Sequence, residues 1–214
     1  MRAAFFDLDD TILRADTGTS WMKFRYRRGE IGRRELARTA YWSVLYKLAV
    51  LDIETLASRL VADIAGQPEA DMLAACAAWH PEVLALITPA ARTTIAAHQA
   101  AGDVVALLTG ATQYAAEPVA AHLGVPHVLS TRLEVAGGRF TGKLAARGFG
   151  AHKVALAERF AVEHGVDLAR STFYSDSYHD RPMLERVGHP VAVNADLRLG
   201  ALAWRRGWPR QRWA

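Results

Sequence analysis

The stretch Ala3-Ala4-Phe5-Phe6-Asp7-Leu8-Asp9-Asp10-Thr11 decides the reading of this chain. A short apolar run is followed by carboxylates at alternate positions, Asp7 and Asp9. Side chains alternate along a strand, so two residues spaced this way point to the same side where the strand ends. Asp7 and Asp9 are therefore predicted to converge on one reacting group. Paired carboxylates raise each other's proton affinity and cost stability unless a cation or a reaction uses them. Residues that complete such a site should lie at other strand ends.

The strand pattern resumes only far downstream. From about Asp16 to Ile87 the periodicity is helical, with expected helices at Thr19–Arg28, Arg33–Leu51, Ile53–Ile64 and Pro68–Trp79. After Thr88-Pro89, strands and helices alternate. Helices are expected at Ala90–Ala101, Gln113–Leu123, Lys153–His164, Arg181–Val187 and Leu197–Arg206. Strands are expected at Val104–Leu108, Val125–Leu129, Thr172–Tyr174 and Pro190–Val193, with a hairpin around Gly137-Gly138. This alternation implies a doubly wound parallel sheet. The helical block interrupts it after the first strand, so a core of residues 1–15 and 88–214 is expected to carry an inserted helical cap at 16–87.

Composition sets outer bounds. The chain has 214 residues, 51% hydrophobic and 22% charged, which suits one large globular domain with an insertion. The net charge of +4 suits anionic small molecules as well as polyanions. A lone cysteine, Cys76, excludes an intrachain disulfide and is expected to be buried in its Ala-rich helix. Only four apolar residues follow Arg2 before Asp7, too few for a signal peptide, and no apolar run approaches the ~20 residues of a membrane span. A cytoplasmic protein is expected. The histidines show no zinc-ligand spacing, and there is no glycine-rich Walker loop.

In an open parallel sheet, ligands bind beyond the carboxyl ends of the strands. Two further strand ends carry polar residues. Leu107-Leu108-Thr109-Gly110-Ala111-Thr112 runs from strand into helix, where a hydroxyl and free N–H groups suit an oxyanion, though Thr109 could equally be a plain helix cap. Tyr174-Ser175-Asp176-Ser177-Tyr178-His179-Asp180 adds two acids, which with Asp7 make a hard-oxygen site suited to Mg²⁺. Lys153 follows the loop Arg147-Gly148-Phe149-Gly150 and could neutralise both phosphate and acids.

In this order, these segments resemble the motifs of the haloacid dehalogenase superfamily. Asp7-Leu8-Asp9-Asp10-Thr11 matches its first motif, Thr109 the second, Lys153 the third and Asp176-Ser177-Tyr178-His179-Asp180 the fourth. The resemblance spans nearly the whole chain. It implies a Rossmann-like core with a type 1 helical cap, of the subfamily that includes phosphoserine phosphatases. It further implies a Mg²⁺-dependent phosphomonoesterase with Asp7 as nucleophile and Asp9 as acid/base. Asp7, the Asp9 carbonyl and Asp176 would hold the metal, with Thr11 and Asp180 supporting. Thr109, Gly110 and Lys153 would hold phosphate, with Ser177 and His179 as further contacts. Three departures stand out: Asp10 replaces the commoner Gly, and Ser175 and His179 stand where phosphoserine phosphatases favour Gly and Asn. The substrate is read as a small phospho-alcohol or amino-alcohol, phosphoserine among them, with lipid or sugar phosphates, or a catalytically idle binding protein, as alternatives.

Residues 14–50 hold nine Lys/Arg (Arg14, Lys23, Arg25, Arg27, Arg28, Arg33, Arg34, Arg38, Lys47) against three acids (Asp16, Glu30, Glu35), interleaved with aromatics. The pattern suits a solvated basic face over an aromatic seam, an electropositive mouth for phosphomonoesters, or contact with anionic lipid. Membrane contact is the less favoured of these, and nucleic-acid binding is not expected because no extended basic groove is legible. The basic, aromatic tail Trp204–Trp213 is expected to pack on the core. The sequence leaves the oligomeric state open.

Overall fold

The computed structural model describes residues 1–47 and 53–213. Seven strands form one sheet: β1 (Ala3–Phe6), β2 (Val104–Thr112), β3 (His127–Ala136), β4 (Arg139–Ala146), β5 (Thr172–Ser175), β6 (His189–Val193) and β7 (Arg210–Gln211). Their order is β4-β3-β2-β1-β5-β6-β7. Every pairing is parallel except that of β3 with β4. β1 is central, flanked by β2 and β5, so the chain reverses its direction of winding at β1. Its carboxyl end is the switch point where such sheets bind ligands.

The expected alternation of strands and helices stands, and the differences have local causes. β2 continues through Thr109-Gly110-Ala111-Thr112, because β3 follows it across a register shift between Thr109 and Thr112. The expected strand at Val125–Leu129 and the hairpin arm at Arg132–Val135 are one strand, β3, which pairs first with β2 and then with β4. β7 is too short to leave a sequence signal.

Four helices lie between β1 and β2: α1 (Thr17–Arg27), α2 (Arg33–Lys47), α3 (Ile53–Ala62) and α4 (Glu69–Leu84). The expected C-terminal end of α2, to Leu51, lies outside the described residues. α4 runs past the expected end at Trp79 and tolerates Pro81 in its last turn, because Trp79 and Val83 on either side are buried. Trp21 and Trp79 meet edge to face, with centroids 5.2 Å apart, and form the aromatic seam. On the surface Arg25 and Arg28 meet Glu30 and Arg27 meets Glu82.

The remaining helices cover the sheet. α5 (Pro89–Ala100) and α6 (Gln113–His122) pack on one face with Phe6, Leu107 and Val193. α7 (His152–His164), α8 (Arg181–Arg186) and α9 (Leu197–Arg206) pack on the other with Phe5, Leu108 and Phe173. A third cluster joins the inserted helices to the β3–β4 hairpin through Val61, Cys76, Tyr114, Leu133 and Phe140. Backbone bonds reinforce that junction: Gly66 N donates to Phe140 O (2.8 Å) and Glu69 N to Gly138 O (2.9 Å). Burial within the cluster pushes the Cys76 thiol up to about 11, as suits a packing residue.

The loop between β4 and α7 presses against β2 and β3. A Cβ at Gly148 would collide with the Thr109 carbonyl oxygen and sit 2.7 Å from Thr131 N. Its N–H donates to Thr131 Oγ1 (3.1 Å). Because this contact is with backbone, Gly148→Ala should lower stability by about 2 kcal/mol or more, seen as a drop of several degrees in thermal midpoint. An unchanged melting curve would show that the loop does not hold this approach.

Candidate active site

The site is built where β1 stops. The Asp7 amide still extends the ladder, donating to the Tyr174 carbonyl of β5 (2.9 Å). Beneath it the Phe6 and Tyr174 rings stack at 4.6 Å, which fixes the direction in which the chain leaves the sheet. Strand geometry ends there. Residues Leu8–Ile12 wind into one wide turn, closed by Leu13 N donating to Leu8 O (3.0 Å). Asp7 is the last residue before this turn and Asp9 lies within it, both with extended backbone dihedrals.

Asp10 takes φ +51° within the turn, the left-handed region that Gly adopts freely and Asp tolerates. That accounts for Gly being common at this position in the resembling family. The Asp10 carbonyl accepts from Asn194 Nδ2 (2.9 Å), and Asn194 is also left-handed, at φ +47°.

The Asp9 carboxylate faces the start of α1. It accepts from Thr17 N (2.8 Å) and Thr17 Oγ1 (3.1 Å). Burial, with Asp16 and Asp7 nearby, holds its carboxyl well above the usual range. Burial likewise lifts Asp7 to about 6, a rise that the Lys153 ammonium limits and Asp180 reinforces.

Lys153 is the buried cation of the site, with 3% of its surface exposed. Its Nζ donates to Asp7 Oδ1 (2.8 Å) and to Asp180 Oδ2 (2.6 Å). Burial opposes its charge, but Asp180 and Asp7 together raise its pKa above the ordinary value, so it stays an ammonium. Ser175 Oγ donates to the same Asp180 oxygen (2.7 Å) and accepts from Ser177 N (3.2 Å).

Asp176 lies half-buried at the end of β5, with Thr11 Oγ1 at 3.4 Å from its Oδ1. Burial, then the charges of Asp7, Asp180 and Asp10, raises its carboxyl well above normal. Ser177 Oγ accepts from His179 N (3.3 Å) and so caps the single turn Tyr178–Asp180; both residues are half-buried.

Thr109 is fully buried, and its Oγ1 accepts from Ala111 N (3.1 Å). The cap of α6 is Thr112, so Thr109 is not a helix cap and the Gly110 N–H belongs to β2 and not to a helix start. Phe149 backs Gly110: a Cβ there would touch the Phe149 Cβ at 3.4 Å. The expected residues thus lie after β1, along the last part of β2, after β5 and at the start of α7, and direct bonds join Lys153 to Asp7 and Asp180.

Sequence reasoning missed Ser175, Thr17, Asn194 and Asp196. Asp196 accepts from Tyr178 N (2.7 Å) through its carboxylate, and its own N–H donates to Asp176 O (2.8 Å). The run Asn194-Ala195-Asp196 follows β6, so a fourth polar strand end was the available signal. Thr17 left none, because its contact depends on the turn after β1.

The donor set fits a hard divalent cation. Asp7 and Asp176 are carboxylates whose mutual repulsion a cation would relieve, and Lys153 is the one ammonium bonded among these acids in the described residues. No three His, Cys, Asp or Glu side chains among the described residues are grouped to hold a metal by themselves. A cation here would need backbone, water or substrate oxygens as well, which is how Mg²⁺ is usually bound.

The profile of the haloacid dehalogenase-like hydrolases matches residues 4–185. A phosphoserine phosphatase of Mycobacterium tuberculosis is 32% identical over 212 residues, covering 96% of this chain and 69% of its own. A histidinol-phosphatase of Neisseria meningitidis is 29% identical over 217 residues, covering 96% of both chains. A crystal structure of a Bordetella pertussis protein of unknown function superposes with a TM-score of 0.85 at 32% identity, covering 98% of this chain and 97% of that one. With its motif residues gathered at the β1 switch point, the chain belongs to the haloacid dehalogenase-like hydrolases, as a phosphomonoester hydrolase akin to the phosphoserine phosphatases.

Proposed function

We propose that this hydrolase works through a covalent phospho-aspartate on Asp7, with Mg²⁺, on small phosphorylated alcohols or amino-alcohols. The observation that carries this reading is the Lys153 ammonium buried between Asp7 and Asp180. It keeps the Asp7 carboxylate oriented and partly neutralised at the mouth of the sheet. An oxygen of Asp7 attacks phosphorus as the P–O bond to the alcohol breaks. Asp9 gives its proton to the leaving alkoxide, then takes one from the water that attacks the phospho-aspartate. Phosphate and the Asp7 carboxylate are released.

The other residues position these groups. Thr17 holds the Asp9 carboxylate away from Lys153, so the two acids keep separate tasks. Thr109, Gly110 and Lys153 line the place for the phosphate oxygens, and Ser177 and His179 border it. Asp7, Asp176 and the Asp9 carbonyl would hold Mg²⁺, which when bound offsets the charge of the phosphate and the acids. Thr11 steadies Asp176, and Asp180 orients Lys153.

We read residues 16–87 as a cap that selects substrate. The amino-alcohol class is favoured because two relatives are named for phosphoserine and histidinol phosphate, both phosphate esters of amino-alcohols. Cytoplasmic residence suits such metabolites, and no helix among the described residues is long and apolar enough to cross a membrane. A panel of O-phosphoserine, histidinol phosphate, glycerol 3-phosphate and glucose 6-phosphate tests the class. The amino-alcohol esters should give the highest kcat/KM, and preference for the sugar or glycerol ester would overturn it.

Asp7→Asn should lower kcat about 1,000-fold or more while the protein remains folded, as the loss of a nucleophile requires. Near-wild-type turnover of p-nitrophenyl phosphate would remove Asp7 from that role. Asp9→Asn should harm alkyl phosphates far more than p-nitrophenyl phosphate, whose leaving group needs little protonation. Equal losses on both would contradict the acid role. Chelation should abolish hydrolysis and added Mg²⁺ should restore it; activity indifferent to both would exclude the metal.

A further inference from the structure

Helix α9 is apolar on two opposite faces. Leu199 and Ala203 point into the core and are fully buried. At 100° per residue, Leu197, Ala201 and Trp204 share the opposite side. Leu197 is 95% exposed and Trp204 71%, and Ala201 between them is exposed too. Of the tail's tryptophans, Trp213 is buried and Trp208 partly buried against the core. The packing expected of this tail therefore holds for those two and fails for Trp204.

The sequence around this stripe is basic. Residues 197–213 contain five arginines (Arg198, Arg205, Arg206, Arg210, Arg212) and no acid. Arg206 pairs with Glu185, and Arg198 lies 4.4 Å over the Tyr178 ring. Arg205, Arg210 and Arg212 are exposed and meet no carboxylate among the described residues. Three apolar side chains on one ten-residue helix fall well short of the ~800 Å² per partner that a stable protein interface needs. Insertion into a lipid interface asks for less: a Trp and a Leu at headgroup depth, with arginines drawn to anionic lipid.

We propose that α9 and the basic tail after it form a docking surface for an anionic lipid bilayer, with Leu197, Ala201 and Trp204 inserted and Arg205, Arg210 and Arg212 at the headgroups. The surface is distinct from the basic segment 14–50, where Arg25, Arg27 and Arg28 are paired with carboxylates. It adjoins the active site, because Asp196, one residue before Leu197, is bonded to the loop that carries Asp176. Docking would therefore hold the reaction edge of the sheet beside the membrane surface.

Co-sedimentation with phosphatidylcholine vesicles, with and without phosphatidylglycerol, tests this. The protein should pellet with the anionic vesicles at low salt, remain in solution with the neutral ones, and be released by high salt. The double variant L197S/W204S and the variant R205E should each weaken binding about tenfold or more, with thermal midpoints and p-nitrophenyl phosphate hydrolysis as in the parent. These substitutions lie on solvent-facing positions outside the catalytic groups. Failure of the parent to pellet with anionic vesicles at low salt would overturn the proposal, as would variants that pellet equally well. So would a parent dimer that L197S/W204S converts to monomer, since the stripe would then be a contact between copies.

Discussion

A buried ammonium between two buried carboxylates is the constraint on which this structure turns. Taking Lys153 out of water costs several kcal/mol, and the cost is met only because Asp7 and Asp180 both reach its Nζ. Removing one partner of such a pair typically costs about 3–5 kcal/mol, so α7, β1 and the turn after β5 must be placed together. Gly148 allows the loop before α7 to approach β2 and β3 closely enough for Lys153 to enter. Ser175 supplies a further hydrogen bond to Asp180 and ties that acid to its own strand. The residues that hold the fold at its switch point are those to which the proposed phosphoryl chemistry is assigned.

The acids around this centre are sorted by what they touch. Asp7 and Asp180 share the lysine, Asp9 is turned toward Thr17, and Asp176 faces Thr11. Separate partners give chemically identical side chains different tasks. Because the bond from Thr17 to Asp9 joins the first turn of α1 to the turn after β1, any displacement of the helices between β1 and β2 would be felt at Asp9, the proposed acid/base. The hairpin β3–β4 clasps those helices from the far side through Gly66, Glu69 and Phe140.

Much of this was legible in the sequence. The order of elements, the inserted helices and the motif residues follow from periodicity, punctuation and the polar strand ends. What escaped depends on tertiary geometry. The spacing of Asp7 and Asp9 suggested a continuing strand, whereas the wide turn Leu8–Ile12, with its left-handed Asp10, left no signal of its own. Thr109 resembled a helix cap because nothing in its neighbourhood reveals that β3 prolongs β2 past it. Ser175 read as a departure from the family's Gly, and its bond to Asp180 emerges only when β5 turns back on itself. In the tail, three tryptophans with similar neighbours take different surroundings, since helix phase and not composition decides which of them meets the core.

The central claim is that Asp7 becomes covalently phosphorylated during turnover. Quenching the enzyme under steady-state hydrolysis, reducing with borohydride and mapping peptides by mass spectrometry tests it directly, because an acyl phosphate is reduced to an alcohol. The account predicts homoserine at position 7, dependent on substrate. An unmodified Asp7 during rapid turnover, or substrate-dependent reduction at another carboxylate, would contradict it.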